Sequence, residues 1–362
     1  MSPRIIIISP GYFSDESLIG GGERYPMELG RALAERADVT FVSFGPARRS
    51  LRAGRMMVEL FPVSTWLAGN RGNPWSLSFL KTLFSADVVH VHQAFTLTGD
   101  FACLLGALIG ARVFITHHGG GGEIALSHNL PVQAVCRGIF AYSDFMAAAL
   151  PPSMHRGLVT IRGGIDQVRF CPDALVERRR VVLFVGRLLP HKGVDYLVKA
   201  FRLWGREGWR LRLVGRPYDA AYVAELRELA AGLPVDFVHD ADDEALLCEY
   251  RQARVTVLPS VHRDRSGRYT AVPEFMGFTL LESQSCGTPV ICTDAGAMRE
   301  FVADGITGRV VHQNSPEELA SALDEVCDEA RWPVLAGTAR DWCSQFGWSR
   351  VAADHLAVYE SH

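Results

Sequence analysis

What the chain lacks narrows it first. It has no apolar run of membrane-spanning length: the longest, Phe101 to Ile115, carries Arg112 and two glycines and falls short of the roughly 20 residues that cross a bilayer. Membrane contact is therefore expected to be peripheral at most. No basic block exceeds Arg178-Arg179-Arg180 and the net charge is −3, so the footprint of a nucleic-acid binder is missing. None of the eight cysteines forms a Cys-x-x-Cys pair, which points to buried reduced thiols and leaves zinc poorly supported, His90 and His92 notwithstanding. The early run Ile5-Ile-Ile-Ile8 is too short for a secretory core, and a cytoplasmic location is expected. There is no 20–50-residue repeat and no low-complexity tract. Ile19-Gly-Gly-Gly-Glu23 does not spell Gly-x-Gly-x-x-Gly, so an NAD-dependent dehydrogenase is disfavoured.

What is present is enough for more than one core. At 362 residues and 48% hydrophobic, two domains are the default. Short β-branched runs at 5–9, 39–44, 58–62, 88–92, 112–116 and 138–143 read as strands, with a helix over 23–35. A second series of strands starts at 181–186 and continues at 210–214, 235–238, 255–258, 290–293 and 308–311. Helices are expected over 194–204, 221–231, 243–251, 279–286 and 316–330. Such alternation gives parallel sheets covered on both faces, with ligands at the carboxyl ends of strands. The fold class is thus α/β. The expected domains are 1–168, joined by a last helical segment at 346–362, and 169–345.

The most informative stretch is Glu274-Phe-Met-Gly-Phe-Thr-Leu-Leu-Glu282, followed by Gly287-Thr-Pro-Val290. Two carboxylates bracket a glycine turn that opens a short helix. A helix N-terminus suits phosphate, and flanking carboxylates suit sugar hydroxyls. The bland alternative is a capping box, with Thr279 capping and Glu282 reaching back; on these residues alone the two readings weigh about equally. Upstream, Phe184-Val-Gly-Arg-Leu-Leu-Pro-His-Lys-Gly193 places Arg187 and Lys192 in a loop before a helix. A lysine there opposes the helix dipole, which makes sense beside a bound anion.

These two stretches resemble the signatures of the family 4 retaining glycosyltransferases (glycosyl transferases group 1), and Thr116-His117-His118-Gly119 resembles that family's Thr-x-His-Gly. The resemblance implies the GT-B fold: two doubly wound Rossmann-like domains facing a cleft, with a C-terminal helix crossing back to the first. It implies a nucleoside-diphosphate sugar, UDP- or GDP-linked, on the C-terminal domain and an unidentified acceptor on the N-terminal one. Arg187 and Lys192 would hold the diphosphate together with backbone N–H groups of Gly277, Phe278, Thr279 and Leu280. Glu282 would take the ribose, Glu274 the sugar hydroxyls and His118 the reacting sugar, with His117 as the other candidate. Gly21 and Gly22 would face the donor phosphate, though which pair of the three glycines does so is open. Catalytic roles fall to His118, Glu274, Arg187 and Lys192. The family resemblance implies neither metal nor cofactor.

The expected activity is hexosyl transfer with retention to an acceptor, possibly a small molecule or natural product. The alternatives are a catalytically idle protein that binds nucleotide sugar or a partner, and a glucan synthase or phosphorylase. Three segments depart from the family pattern, the first being the glycine run Gly119–Gly122, which suggests an adaptable or tightly approached acceptor loop. Phe237-Val-His239 leaves the base open, and the insert Val261–Tyr269, with three arginines, reads either as a contact for an acidic ligand or as a solvated lid.

Overall fold

The structure is a computed structural model and describes residues 3–12 and 21–361. The chain opens with strand β1 (Arg4–Ile8) and helix α1 (Gly21–Leu33). It continues through β2 (Asp38–Gly45), β3 (Arg49–Ala53), β4 (Met56–Pro62), the short pair β5 (Thr65–Trp66) and β6 (Pro74–Trp75), β7 (Val88–His92), α2 (Leu97–Leu108), β8 (Arg112–Thr116), β9 (Gly138–Ala141), α3 (Asp144–Ala149) and β10 (Leu158–Thr160). Next come β11 (Val181–Val185), α4 (Val194–Trp204), β12 (Arg210–Val214), α5 (Ala220–Leu229), β13 (Val235–Val238), α6 (Asp243–Gln252) and β14 (Val255–Leu258). The last elements are α7 (Phe278–Ser285), β15 (Val290–Thr293), β16 (Gly308–Val311), α8 (Pro316–Val326), α9 (Trp332–Cys343) and α10 (Trp348–Ser361).

The chain divides into two compact units, Met1–Gly164 with Trp348–His362, and Ile165–Gly347. The first holds a sheet in the order β10-β9-β8-β7-β1-β2-β4-β3. Its pairings are parallel except for β3, which lies antiparallel on β4 at the edge. The second holds the order β13-β12-β11-β14-β15-β16, all parallel. The β1 and β7 runs are buried on both faces, as parallel strands under helices require.

Most strand limits follow the β-branched runs, and the helix-then-strand reading of the run from Phe101 is met apart from the helix's full burial. The apolar run from Phe101 is a helix end, a Gly110 turn and β8, but α2 is covered on one side only, leaving Leu108 83% exposed. The helix expected over 316–330 stops at Val326. There Asp328 Oδ1 accepts the N–H groups of Ala330 and Arg331, and Pro333 starts α9 afresh. In α10 the buried stripe is Val351, Ala352, His355 and Tyr359, so a histidine sits where Leu356 was expected to pack. That stripe reaches back through the first unit, where Tyr359 Oη stands 2.7 Å from His90 Nδ1.

Candidate active site

In the second unit, close backbone approach fixes the ends of the strands. Gly215 follows β12, and a Cβ there would stand 1.8 Å from the Gly186 carbonyl oxygen. Only glycine permits that contact. Gly193 follows Lys192 in the left-handed region at φ 65°, where a Cβ would meet the Pro259 oxygen at 2.0 Å. Lys192 is thereby delivered to the end of β14. It is 7% exposed. Its Nζ donates to Glu274 Oε1 at 2.5 Å and to the Pro273 carbonyl at 3.2 Å. Ser260 Oγ donates to the same carboxylate oxygen at 2.8 Å. Ser260 was not singled out from the sequence; the only signal was its place just past a strand end.

Burying an ion pair is weak evidence for stability, because desolvation offsets much of the attraction. The arrangement leaves chemical capacity unused. An ammonium has three N–H donors, and two bonds are made. Glu274 Oε2 has no hydrogen-bond partner among the described residues. Arg187 differs from Lys192. It is exposed, its guanidinium lies 5.9 Å over the Tyr218 ring, and it has no carboxylate partner among the described residues. Burial, then Lys192, pulls the pKa of neighbouring His191 down to about 4, with Arg187 and Arg268 adding to the effect against Glu274.

Helix α7 starts at Gly277, its N-cap at φ 81°, with no side-chain cap. The capping box expected as an alternative does not form. Thr279 lies inside the helix, and its Oγ1 donates to the Val185 carbonyl at 3.3 Å. Glu282, 7% exposed, instead accepts the Tyr250 hydroxyl at 2.7 Å. Burial and that carboxylate push the tyrosine pKa up. Leu280 donates its N–H to the Gly277 carbonyl at 2.9 Å, and its side chain is in the core. Thr279 follows inside the first turn, where helix N–H groups suit an anion.

The insert is built as a hairpin-like loop. Arg263 bridges Tyr269 in antiparallel fashion, and Asp264 Oδ1 accepts the N–H groups of Ser266 and Arg268. Arg263 donates to the Gly267 carbonyl and Arg265 pairs with Glu225. In the loop after β13, His239 Nδ1 stands 2.9 Å from the Gly215 carbonyl oxygen.

In the first unit, α1 begins at Gly21, whose surroundings, like Ile19 and Gly20, lie outside the described residues. A Cβ on Gly22 would stand 3.8 Å from His118 Cβ. His118 Nε2 is 2.9 Å from His92 Nδ1, and its Nδ1 is 3.5 Å from the Tyr142 hydroxyl. Burial, then His117, pulls the His118 pKa to about 3. His117 is held at about 4 by burial, and its Nδ1 is 3.3 Å from Gln93 Nε2. Gly119, Gly120 and Gly121 all have left-handed φ. A Cβ on Gly122 would meet Asn73 Nδ2 at 1.9 Å, so the protein itself closes tightly on this loop. Gln93 and Phe95 were missed from the sequence; both have positive φ.

Among the described residues no group of three or more His, Cys, Asp or Glu side chains could hold a metal ion. An Asp-x-Asp triplet does occur, at Asp240-Ala-Asp242. Asp242, however, is the N-cap of α6, where Oδ1 accepts the Ala245 N–H at 2.8 Å. No described helix is long and apolar enough to cross a membrane.

Comparison with known proteins gives the family and the fold. The family model for glycosyl transferases group 1 matches residues 172–334, and that for glycosyltransferase family 4 matches 19–168. A D-inositol 3-phosphate glycosyltransferase of Geodermatophilus obscurus is 33% identical over 225 residues, which is 56% of this chain and 47% of that protein. The chain spans about half the length of the curated relatives it matches. Among solved structures, sucrose-phosphate synthase from Thermosynechococcus elongatus superposes with a TM-score of 0.73 at 21% identity, covering 99% of this chain and 98% of that one. The Anabaena protein HepE, in complex with UDP and glucose, gives 0.70 at 18% identity, covering 99% and 100%.

Proposed function

The chain belongs to the family 4 glycosyltransferases and has their GT-B fold, and from that premise we propose that it moves a hexose from a nucleoside-diphosphate sugar to an acceptor with retention of configuration and without a metal. The observation that carries this reading is the buried Lys192–Glu274 pair, held by Ser260, with spare capacity on both partners. The third N–H of Lys192, the Arg187 guanidinium and the first-turn N–H groups of α7 meet the diphosphate. As the bond from sugar C1 to the phosphate oxygen breaks, negative charge grows there, and fixed donors stabilise it as it develops. Glu274 Oε2 accepts the sugar hydroxyls. Glu282, with Tyr250, takes the ribose.

Retention follows if the acceptor oxygen attacks C1 on the face that the diphosphate leaves. The acceptor proton then passes to a departing phosphate oxygen, and no protein nucleophile is needed. The acceptor is proposed to meet the first unit. A soluble small acceptor is favoured, and an inositol phosphate comes first in the panel because the Geodermatophilus obscurus relative is named for that substrate.

The test is turnover of UDP-, GDP- and ADP-sugars with a panel of small acceptors, after a thermal-shift screen picks the donor. The product's anomeric configuration by NMR decides retention. Activity that EDTA abolishes and Mg²⁺ restores would contradict the metal-free route. Donor binding with no turnover on any acceptor would favour an idle binding protein.

A further inference from the structure

The segment between β14 and α7 leaves from Ser260 and returns at Glu274, and those two residues are joined by the 2.8 Å hydrogen bond from Ser260 Oγ. The loop they enclose is therefore rooted at the carboxylate assigned to the sugar hydroxyls. It is tied down along its length. Val261 donates its N–H to the His191 carbonyl at 2.8 Å, and Thr270 donates to the His262 carbonyl at 2.6 Å. His262 Nε2 accepts the Gly296 N–H at 3.3 Å, and Ala297 donates to the Glu274 carbonyl at 3.1 Å. At the tip, Asp264 is buried and gathers the N–H groups of Ser266 and Arg268 and the Ser266 hydroxyl on Oδ1. Arg265 reaches Glu225 on α5. All of these contacts lie within the second unit.

The three arginines of this loop use their charge differently. Arg265 has a carboxylate. Arg263 donates to the Gly267 carbonyl at 2.7 Å and lies over the Tyr269 ring. Arg268 is exposed, and its guanidinium has no hydrogen bond, ion pair or ring contact among the described residues. Its charge nevertheless reaches the candidate site. His191, beside Lys192, is kept from protonating by burial, then by Lys192, and further by Arg187 and Arg268, against Glu274. Lys192 and Glu274 offset each other, which leaves Arg187 and Arg268 without a counter-ion among the described residues. Arg187 and Lys192 answer to the diphosphate. Arg268 is one cation more, carried on an arm that starts and ends at the sugar's carboxylate partner. A guanidinium fork suits a carboxylate, which it can grip with two parallel hydrogen bonds.

We propose that Arg268 is a specificity-determining residue that pairs with a carboxylate on the transferred sugar, so that the hexose moved is a hexuronic acid. This deepens, and rests on, the nucleotide-sugar reading of the same site.

Calorimetry on the full chain compares UDP-glucose with UDP-glucuronate and GDP-mannose with GDP-mannuronate, with free UDP and GDP as controls. Wild type should bind the hexuronate of one pair about tenfold more tightly than its neutral counterpart, the scale of a hydrogen bond between charged groups. R268L should bring that ratio to one or below, and R268K should restore part of it. Affinity for free UDP and GDP should not move in R268L, nor should its thermal midpoint, because the side chain is exposed. A preference that survives R268L overturns the contact. Equal weakening of free nucleotide and sugar nucleotide in R268L also overturns it and puts the arginine on the diphosphate. If wild type binds the neutral donors as tightly as the hexuronates, the contact is overturned and the nucleotide-sugar reading stands. If no donor and no free nucleotide binds, both fall.

Discussion

The two units prepare their candidate sites in opposite electrostatic ways. In the second, an ammonium and a carboxylate are buried together, a guanidinium stands exposed nearby and a helix opens with no acidic residue in its first turn. In the first, the surroundings of His118 are His92, His117, Tyr25 and Tyr142, groups kept uncharged by burial. One surface is built to meet charge and the other to offer directional hydrogen bonds without it. For transfer from a charged leaving group to a neutral hydroxyl, both kinds of surface are useful.

The sharpest way to break the contrast is Lys192→Ala. It strips the second unit of its buried cation and leaves Glu274 uncompensated. Transfer should fall by orders of magnitude, and loss of one partner of a buried pair should cost about 3–5 kcal/mol of stability. Turnover assays and urea melts check both. Near-normal turnover would remove Lys192 from diphosphate binding. Arg187→Ala separates the two effects. An exposed cation with no ion pair among the described residues contributes little to stability, so the urea midpoint should stay put while kcat/KM falls about 10²-fold, the scale of a lost transition-state donor.

The first unit is tested by acid. His90, His92, His117, His118 and His355 all have pKa values lowered by burial, His355 to about 4. Between those folded values and the ordinary 6.5 the unfolded chain binds more protons than the native one, so stability rises with pH across that interval. It is present in full above about 6.5 and is lost as pH falls towards 4. For His355 alone, buried throughout, a shift from 6.5 to about 4 corresponds to about 3 kcal/mol. Urea midpoints at pH 7.5, 6 and 5 should decline, and His355→Asn should flatten the slope. A wild-type midpoint that is level over this range would sink the argument.

The same contrast explains what the sequence could be made to tell. Glu274, Glu282, Arg187 and Lys192 lie in short stretches whose spacing carries the meaning, and the structure brings Lys192 and Glu274 into one contact. Strands such as Val88–His92 and Val290–Thr293 were legible because β-branched runs between turns have few other fates. In the first unit His117, His118 and Gly22 were singled out, but the groups that hold them were not. His90 meets Tyr359 across 269 residues, and Gln93 acts through a positive φ that only the folded loop reveals. Tyr250 was missed for a related reason. It lies on α6, 32 residues before Glu282, and only the packing of α6 beside α7 joins them.

Tyr250→Phe therefore makes the smallest and most selective test. The ring stays in place and only the hydroxyl bonded to Glu282 goes. A buried carboxylate that loses one neutral donor should cost about 1 kcal/mol of stability, within the range for a single hydrogen bond. If Glu282 serves the ribose, the freed oxygen also becomes less well oriented. Affinity for the nucleoside diphosphate by calorimetry should drop about five- to tenfold, which is that same free energy expressed in binding. Loss of stability with unchanged affinity would make the Tyr250–Glu282 bond a purely structural clasp and would move the ribose to another acceptor in the second unit.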